Sequence, residues 1–265
     1  FLIQKTNKIF IPFLFFYLLG NVGYYLIQWI APQFLITDAK GVFDVFNNRQ
    51  FFNGPIWFLL ALFWCNIIFC TISLYIKSES IRIILVCFLG FVGWHLGNVL
   101  HVFVPLFFDV ALTALPFFAF GYYLKRTPIL FPNKYDKYNI FFALLFWSIS
   151  LMLTQTTHFR LSLHYNGLEG WSTYIISITS VMSILFLCKI IKRLPFISYF
   201  GRYSIIPLCL HHLIYRPVKI ISASFDISGN ELLAVVTILI CWACIPLCIK
   251  FIPWFTAQKD LIKLK

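Results

Sequence analysis

Ionisable side chains inside apolar stretches are the place to look for chemistry, because each is costly in hydrocarbon and normally faces a cavity or serves a function. His95 sits midway along one such stretch, in Phe91-Val92-Gly93-Trp94-His95-Leu96-Gly97-Asn98, among small residues that let another backbone come close. His101 follows near the outer end of that stretch, and Asp109 opens the next one at the same level. Arg202 and the pair His211-His212 share a later stretch, and Arg202 is long enough to snorkel to an interface. Adjacent histidines on a helix point about 100° apart, so His211 and His212 cannot both face one site. Two readings stand side by side. These residues are hydrogen-bonded members of a helix bundle, or His95, Asp109 and His211 line an outward-facing cavity for a polar molecule. A His in that cavity could serve as general base on a hydroxyl. Asn53-Gly54-Pro55-Ile56-Trp57 opens a further stretch. Gly-Pro is an ordinary helix start, and Trp57 suits an interfacial anchor as well as a binding site.

The eight cysteines, Cys65, Cys70, Cys87, Cys188, Cys209, Cys241, Cys244 and Cys248, all fall inside apolar stretches, which argues against a disulfide framework in outer loops. Cys241, Cys244 and Cys248 have helical spacing. A metal would ask for a tetrahedral set completed by a nearby His or acid, and none is close in sequence, so no metal is expected.

The elements that must carry these residues follow from composition. Of 265 residues, 61% are hydrophobic and 11% charged, against roughly a quarter charged in an ordinary soluble domain. Such a chain cannot cover a water-facing surface, and its 32 phenylalanines suit lipid-facing and bundle-facing packing. The net charge of +12 is spread in short clusters between apolar runs, the pattern of positive loops on one membrane face, which excludes a nucleic-acid partner. A span needs about 20 mostly apolar residues. The expected fold is therefore all-α, a polytopic transmembrane helix bundle of about eight spans at 9–30, 51–76, 83–104, 107–124, 138–157, 171–190, 195–215 and 231–251. The boundary around Pro105 is the weakest of these, and Pro12, Pro116, Pro207 and Pro246 are expected to kink their helices. Of the 21 Lys and Arg, 6 (Lys40, Arg49, Arg160, Arg202, Arg216 and Lys219) border one side and the other 15 the opposite side. The basic side is expected to be cytoplasmic, with both ends of the given chain on it. The longest outer connections, 31–50 and 158–170, are polar enough to form a mouth. No repeat, inverted pair of broken helices or soluble linker is evident, so residues 1–265 read as one transmembrane domain.

Four stretches carry a family likeness. Phe1-Leu2-Ile3-Gln4-Lys5-Thr6-Asn7-Lys8-Ile9-Phe10-Ile11-Pro12 is similar to a basic linker and helix entrance. Gly54-Pro55-Ile56-Trp57-Phe58-Leu59-Leu60-Ala61-Leu62-Phe63 is similar to a "GPLWFL-x-ALF" segment. The stretch from Asp109 to Tyr122 looks like "D-T-A-L-x-A-L-P-F-F-x-x-G", with Val110 in place of its Thr. Gly201-Arg202-Tyr203-Ser204 with Leu210-His211-His212-Leu213-Ile214 matches a late "G-x-x-S…LHH" span. In order and spacing they resemble the membrane acyltransferase-3 family, which includes bacterial polysaccharide and sugar O-acetyltransferases.

The resemblance implies an O-acyltransferase in the bacterial cytoplasmic membrane. It would move an acyl group, acetyl in the first instance, from cytoplasmic acyl-CoA to a hydroxyl of an extracytoplasmic glycan or glycolipid, with no tightly bound cofactor. Lys5 and Lys8, with Lys125 and Arg126, would draw the CoA phosphates. Asn53, Trp57, His95, Asp109 and His211 would line the acceptor side. The family pattern has about ten spans and a catalytic His in the first of them, preceded by a basic residue. Phe1 is expected to lie after the second, which leaves His211 as the weak catalytic candidate within the residues given. Lys5 and Lys8 stand where the family has an Arg pair, and Lys lacks the bidentate fork of Arg. Two other readings of the same features are a transporter or flippase for a glycolipid or small polar solute, and a truncated inactive relative.

Overall fold

The computed structural model describes residues 1–30, 32, 52–131, 136–156, 161–162, 167–168, 170, 172–191, 194–224 and 229–263. The two connections expected to form a polar mouth lie almost wholly outside these. Among the described residues the regular structure is helical apart from one antiparallel pair of two-residue strands, β1 (Leu161–Ser162) and β2 (Gly167–Leu168). Helix α1 runs Leu2–Ile30 and is wound with the wider π spacing at Thr6–Phe10. A 3-10 turn at Gly54–Ile56 leads into α2 (Trp57–Tyr75). There follow α3 (Glu79–Asn98), α4 (Phe108–Leu124), α5 (Asn139–Thr156), α6 (Ser172–Ile191), α7 (Pro195–Arg202), α8 (Ile205–Ser224) and α9 (Asn230–Phe251).

Among the described residues, seven helices are long and apolar enough to cross a membrane. The stretch 195–215, expected to be one further span, is two helices. α7 stops at Arg202 and α8 restarts at Ile205, with Pro207 in its first turn. A proline there breaks no bond, since first-turn N–H groups have no intrahelical acceptor. α8 has the length of a span and continues to Ser224, but it carries His211, His212, Arg216 and Lys219. The third span was expected to reach 104. Helix α3 instead ends at Asn98, and His101 stands outside any helix with a positive φ of 51°. Pro105 explains the gap, because the residue before a proline is driven from helical to extended backbone, and Val104 has φ −86° and ψ 135°.

The described chain divides into two compact units, 1–64 with 196–265 and 65–195. In the second unit α3 packs on α4 and α5 on α6. Lipid tails are as apolar as leucine, so such pairs depend on close approach and a few hydrogen bonds rather than on exclusion of water. Close approach is extreme at Gly93, where a Cβ would lie 2.5 Å from the Thr113 nitrogen, and at Gly90, where it would lie 2.5 Å from Pro116 Cγ. Tyr174 on α6 donates to the Thr113 carbonyl at 2.7 Å. Ser183 donates to the Ala143 carbonyl at 2.8 Å and Ser150 meets Ser180 at 2.6 Å, joining α5 to α6 around Met182 and Phe186. In the first unit α8 packs on α9 around Ile206 and Ile245, and Phe196 and Tyr199 of α7 meet Trp242 at 6.0 and 6.5 Å.

Gly93→Ala is expected to destabilise the detergent-purified protein by about 1–3 kcal/mol through overpacking. Gly121→Ala, at a helical glycine with open space beside it, is expected to be neutral or stabilising by up to about 1 kcal/mol. Thermal unfolding followed by size-exclusion chromatography measures both.

Candidate functional site

One face of α8 gathers polar groups in the first unit. Cys209, His212 and Arg216 are spaced three and four residues apart, so they lie on one side of the helix. That side meets Phe52-Asn53-Gly54, the approach to α2. Asn53 is 1% exposed, and its Nδ2 donates to the Cys209 carbonyl at 2.9 Å. A Cβ on Gly20 of α1 would be 3.0 Å from Asn53 Cβ, so glycine is what admits the asparagine. Asn53 therefore ties α1, the start of α2 and α8 together. Its Oδ1 is buried without a hydrogen-bond partner among the described residues.

His212 is oriented by the same segment. Its Nδ1 lies 3.2 Å from the Phe52 carbonyl. A carbonyl only accepts, so Nδ1 carries the hydrogen and donates, leaving a lone pair on Nε2 in the neutral ring. No hydrogen bond is made by Nε2 among the described residues. His211 is held in the same tautomer, with Nδ1 donating to the Pro207 carbonyl of its own helix at 2.8 Å. Only His212 is placed against the Asn53 segment, its ring 3.8 Å from where a Cβ on Gly54 would sit. The Arg216 guanidinium stacks over the Phe52 ring at 4.4 Å, a cation–π contact. Its Nε is buried without a partner among the described residues. Trp57 begins α2 one turn beyond Asn53, with its ring edge-on to Phe58.

The remaining acceptor-side candidates belong to the second unit. His95 is half-buried on α3, stacked on Phe91 at 5.8 Å. Asp109 is fully buried in the first turn of α4, and its carbonyl accepts from Thr113 Oγ1 at 3.1 Å. The two arginine- and lysine-based clusters also divide between units. In the first, Lys8 pairs with Asp260 at 3.1 Å and donates to the Ala257 carbonyl at 2.8 Å, while Lys5 lies 5.5 Å from the Phe1 ring. In the second, Lys125 is exposed and Arg126 pairs with Glu79 at 3.3 Å. No group of three His, Cys, Asp or Glu among the described residues could hold a metal.

A polytopic helical membrane protein with two half-buried histidines on one helix, one of them set against a segment anchored by a buried asparagine, is the class these features define. The chain belongs to the acyltransferase-3 family: that family's acyltransferase-domain model matches residues 1–250. No match was found among curated proteins or among solved structures.

Reading the sequence singled out Asn53, Trp57 and, from the His211-His212 pair, His211; it passed over Phe52 and Arg216, and the structure sets His212 rather than His211 against Phe52. The spacing Cys209–His212–Arg216 was the available signal. Asn7 was also passed over. It is 2% exposed inside the π-wound turn, donates to the Ile262 carbonyl at 2.8 Å, and accepts from the amides of Leu261 and Ile262 at 3.0 and 2.9 Å.

Asn53→Ala removes the bond to Cys209, and a loss of about 1–3 kcal/mol is expected, read as a lower melting temperature. Asn7→Ala is expected to speed hydrogen exchange at the Leu261 and Ile262 amides by about tenfold or more, with little change elsewhere in the chain.

Proposed function

We propose that the protein is a membrane O-acyltransferase that moves an acyl group, acetyl in the first instance, from cytoplasmic acyl-CoA to a hydroxyl of an extracytoplasmic glycan or glycolipid. Membership of the acyltransferase family supports transfer chemistry. The observation that carries the reading at the level of residues is His212, held by its Nδ1 against the Phe52 carbonyl with its ring beside Gly54, which leaves Nε2 unprotonated. In the reaction the acceptor hydroxyl attacks the thioester carbonyl, a C–O bond replaces the C–S bond, and CoA leaves as the thiol. The hydroxyl proton needs an acceptor while the bond forms. Nε2 of His212 takes that hydrogen bond, Asn53 and Arg216 hold the segment that orients it, and Trp57 offers an aromatic face to a sugar ring. Lys5 and Lys8 attract the donor phosphates as point charges, with Asp260 displaced from Lys8. The proposed setting is the bacterial cytoplasmic membrane, both described ends on the cytoplasmic side, as the distribution of Lys and Arg supports.

The test is expression of the complete gene in a glycan-producing host that lacks its own acyltransferases of this type, with the glycan analysed by mass spectrometry. O-acyl groups are expected, with strict dependence on acyl-CoA in membrane vesicles. His212→Ala is expected to lower transfer about 100-fold or more, and His211→Ala to lower it far less. Movement of a glycolipid or solute across vesicles without acyl-CoA would instead favour a transporter. Equal activity of wild type and His212→Ala would remove His212 from the chemistry.

A further inference from the structure

The polar face of α8 does not end at His212. Arg216 and Lys219 follow it four and seven residues on, so the three form one stripe along the helix. At 1.5 Å per residue the two cations stand about 6 and about 10 Å beyond His212, towards the C-terminal end of α8. Phe52, 3% exposed, lies under the Arg216 guanidinium at 4.4 Å and meets Tyr24 of α1 edge-on, with ring centroids 6.3 Å apart. The guanidinium is thereby held flat against a buried ring, with its edge left free. Lys219 is exposed.

No carboxylate answers this charge. Among the described residues Arg216 forms no ion pair and donates no hydrogen bond. The described carboxylates of the same unit are Glu231, in the first turn of α9, and Asp260, which pairs with Lys8. The Arg216 side chain is only half-buried: Nε is sealed, whereas neither Nη is, so a ligand can reach the end of the fork. Stacking on Phe52 offsets part of the cost of desolvating the charge and no more, since a cation–π contact is worth less than that cost. An ionisable group kept among apolar spans at such a cost normally faces a cavity or a pathway. The planar fork fits two oxygens of a carboxylate or a phosphate.

We infer that Arg216, assisted by Lys219, binds an oxyanion carried by the acyl acceptor. The acceptor is then an acidic glycan, its charge about one helical turn, ~6 Å, from the hydroxyl that meets His212. The carboxylate of an acidic sugar and a phosphate ester on a sugar both supply this chemistry. The inference rests on the reading of His212 and its surroundings as the acceptor side of a transferase.

The protein expressed from the complete gene, in phosphatidylcholine nanodiscs, is titrated with cellobiose, cellobiouronic acid and phosphorylated cellobiose. Saturation-transfer NMR, which reads weak ligands, follows the binding. One anionic sugar is expected to bind about tenfold or more tighter than cellobiose, the gain of a charge-assisted contact, and which one identifies the source of the oxyanion. That preference is expected to fade in high salt. Arg216→Gln is expected to bring the ratio of anionic to neutral binding to within about twofold of one, Arg216→Lys to keep part of it, and Lys219→Gln to lower it severalfold. A residue that only holds the Phe52 segment in place would weaken all three sugars alike and leave the ratio unchanged. Should Arg216→Gln fail to fold, Lys219→Gln, at an exposed side chain, and the salt dependence of the wild type decide the matter. No tighter binding of either anionic sugar, a preference indifferent to salt, or an unchanged ratio in Arg216→Gln would each overturn the proposal. Transfer from acetyl-CoA to the three sugars is measured on the same preparation. Anionic preference without transfer keeps the oxyanion site and removes the transferase reading, whereas equal transfer to all three removes the oxyanion site and keeps the transferase.

Discussion

In hydrocarbon no water completes a broken backbone hydrogen bond, and this constraint governs the rest of the structure. It makes helix the only form in which the apolar stretches can cross. It also removes the usual reason for helices to associate, because lipid solvates leucine as well as a neighbouring helix does. Association must then come from contacts that lipid cannot imitate. The approach of α3 to α4 is one kind, with Gly93 against the Thr113 backbone and Gly90 against the Pro116 ring, a fit that any side chain at either glycine would block. Buried amide and hydroxyl bonds such as Asn53 to Cys209 and Tyr174 to Thr113 are the other.

The same few polar bonds do two jobs. Asn53 joins three elements and, in doing so, fixes the Phe52 carbonyl that orients His212. Orientation of an imidazole by a backbone carbonyl selects its tautomer and so decides which nitrogen is available to accept a proton. Fold and candidate chemistry therefore share one segment, Phe52-Asn53-Gly54, only a few residues long.

Asn7 shows how a polar side chain can stand in for a strand or helix partner. Its amide both donates to and accepts from the backbone at Leu261 and Ile262, and Lys8 beside it binds Ala257 and Asp260. The π-wound turn at Thr6–Phe10 shifts the register of the helix around both residues. The segment after α9 is thereby fastened to α1 by residues that the sequence pattern marks only as a basic, polar start.

Composition and the length of apolar runs were enough to establish a polytopic all-α membrane protein, because crossing hydrocarbon leaves so few alternatives. Most helix ends fell within a few residues of expectation, but α1 starts at Leu2 rather than 9 and α3 ends at Asn98 rather than 104. The errors came where one apolar run hides two elements. Nothing in the hydropathy of 195–215 separates α7 from α8, and the extension of α8 to Ser224 runs through Arg216 and Lys219, which read as loop. The motifs pointed to Asn53 and to the His211-His212 pair. Which of the two adjacent histidines meets the Phe52 carbonyl was visible only in the tertiary structure, because local sequence does not encode which face a neighbour covers. For the same reason Asn7 and Arg216 were invisible as partners: Asn7 bonds a residue 255 positions away and Arg216 stacks on Phe52, and only the packed chain brings them together.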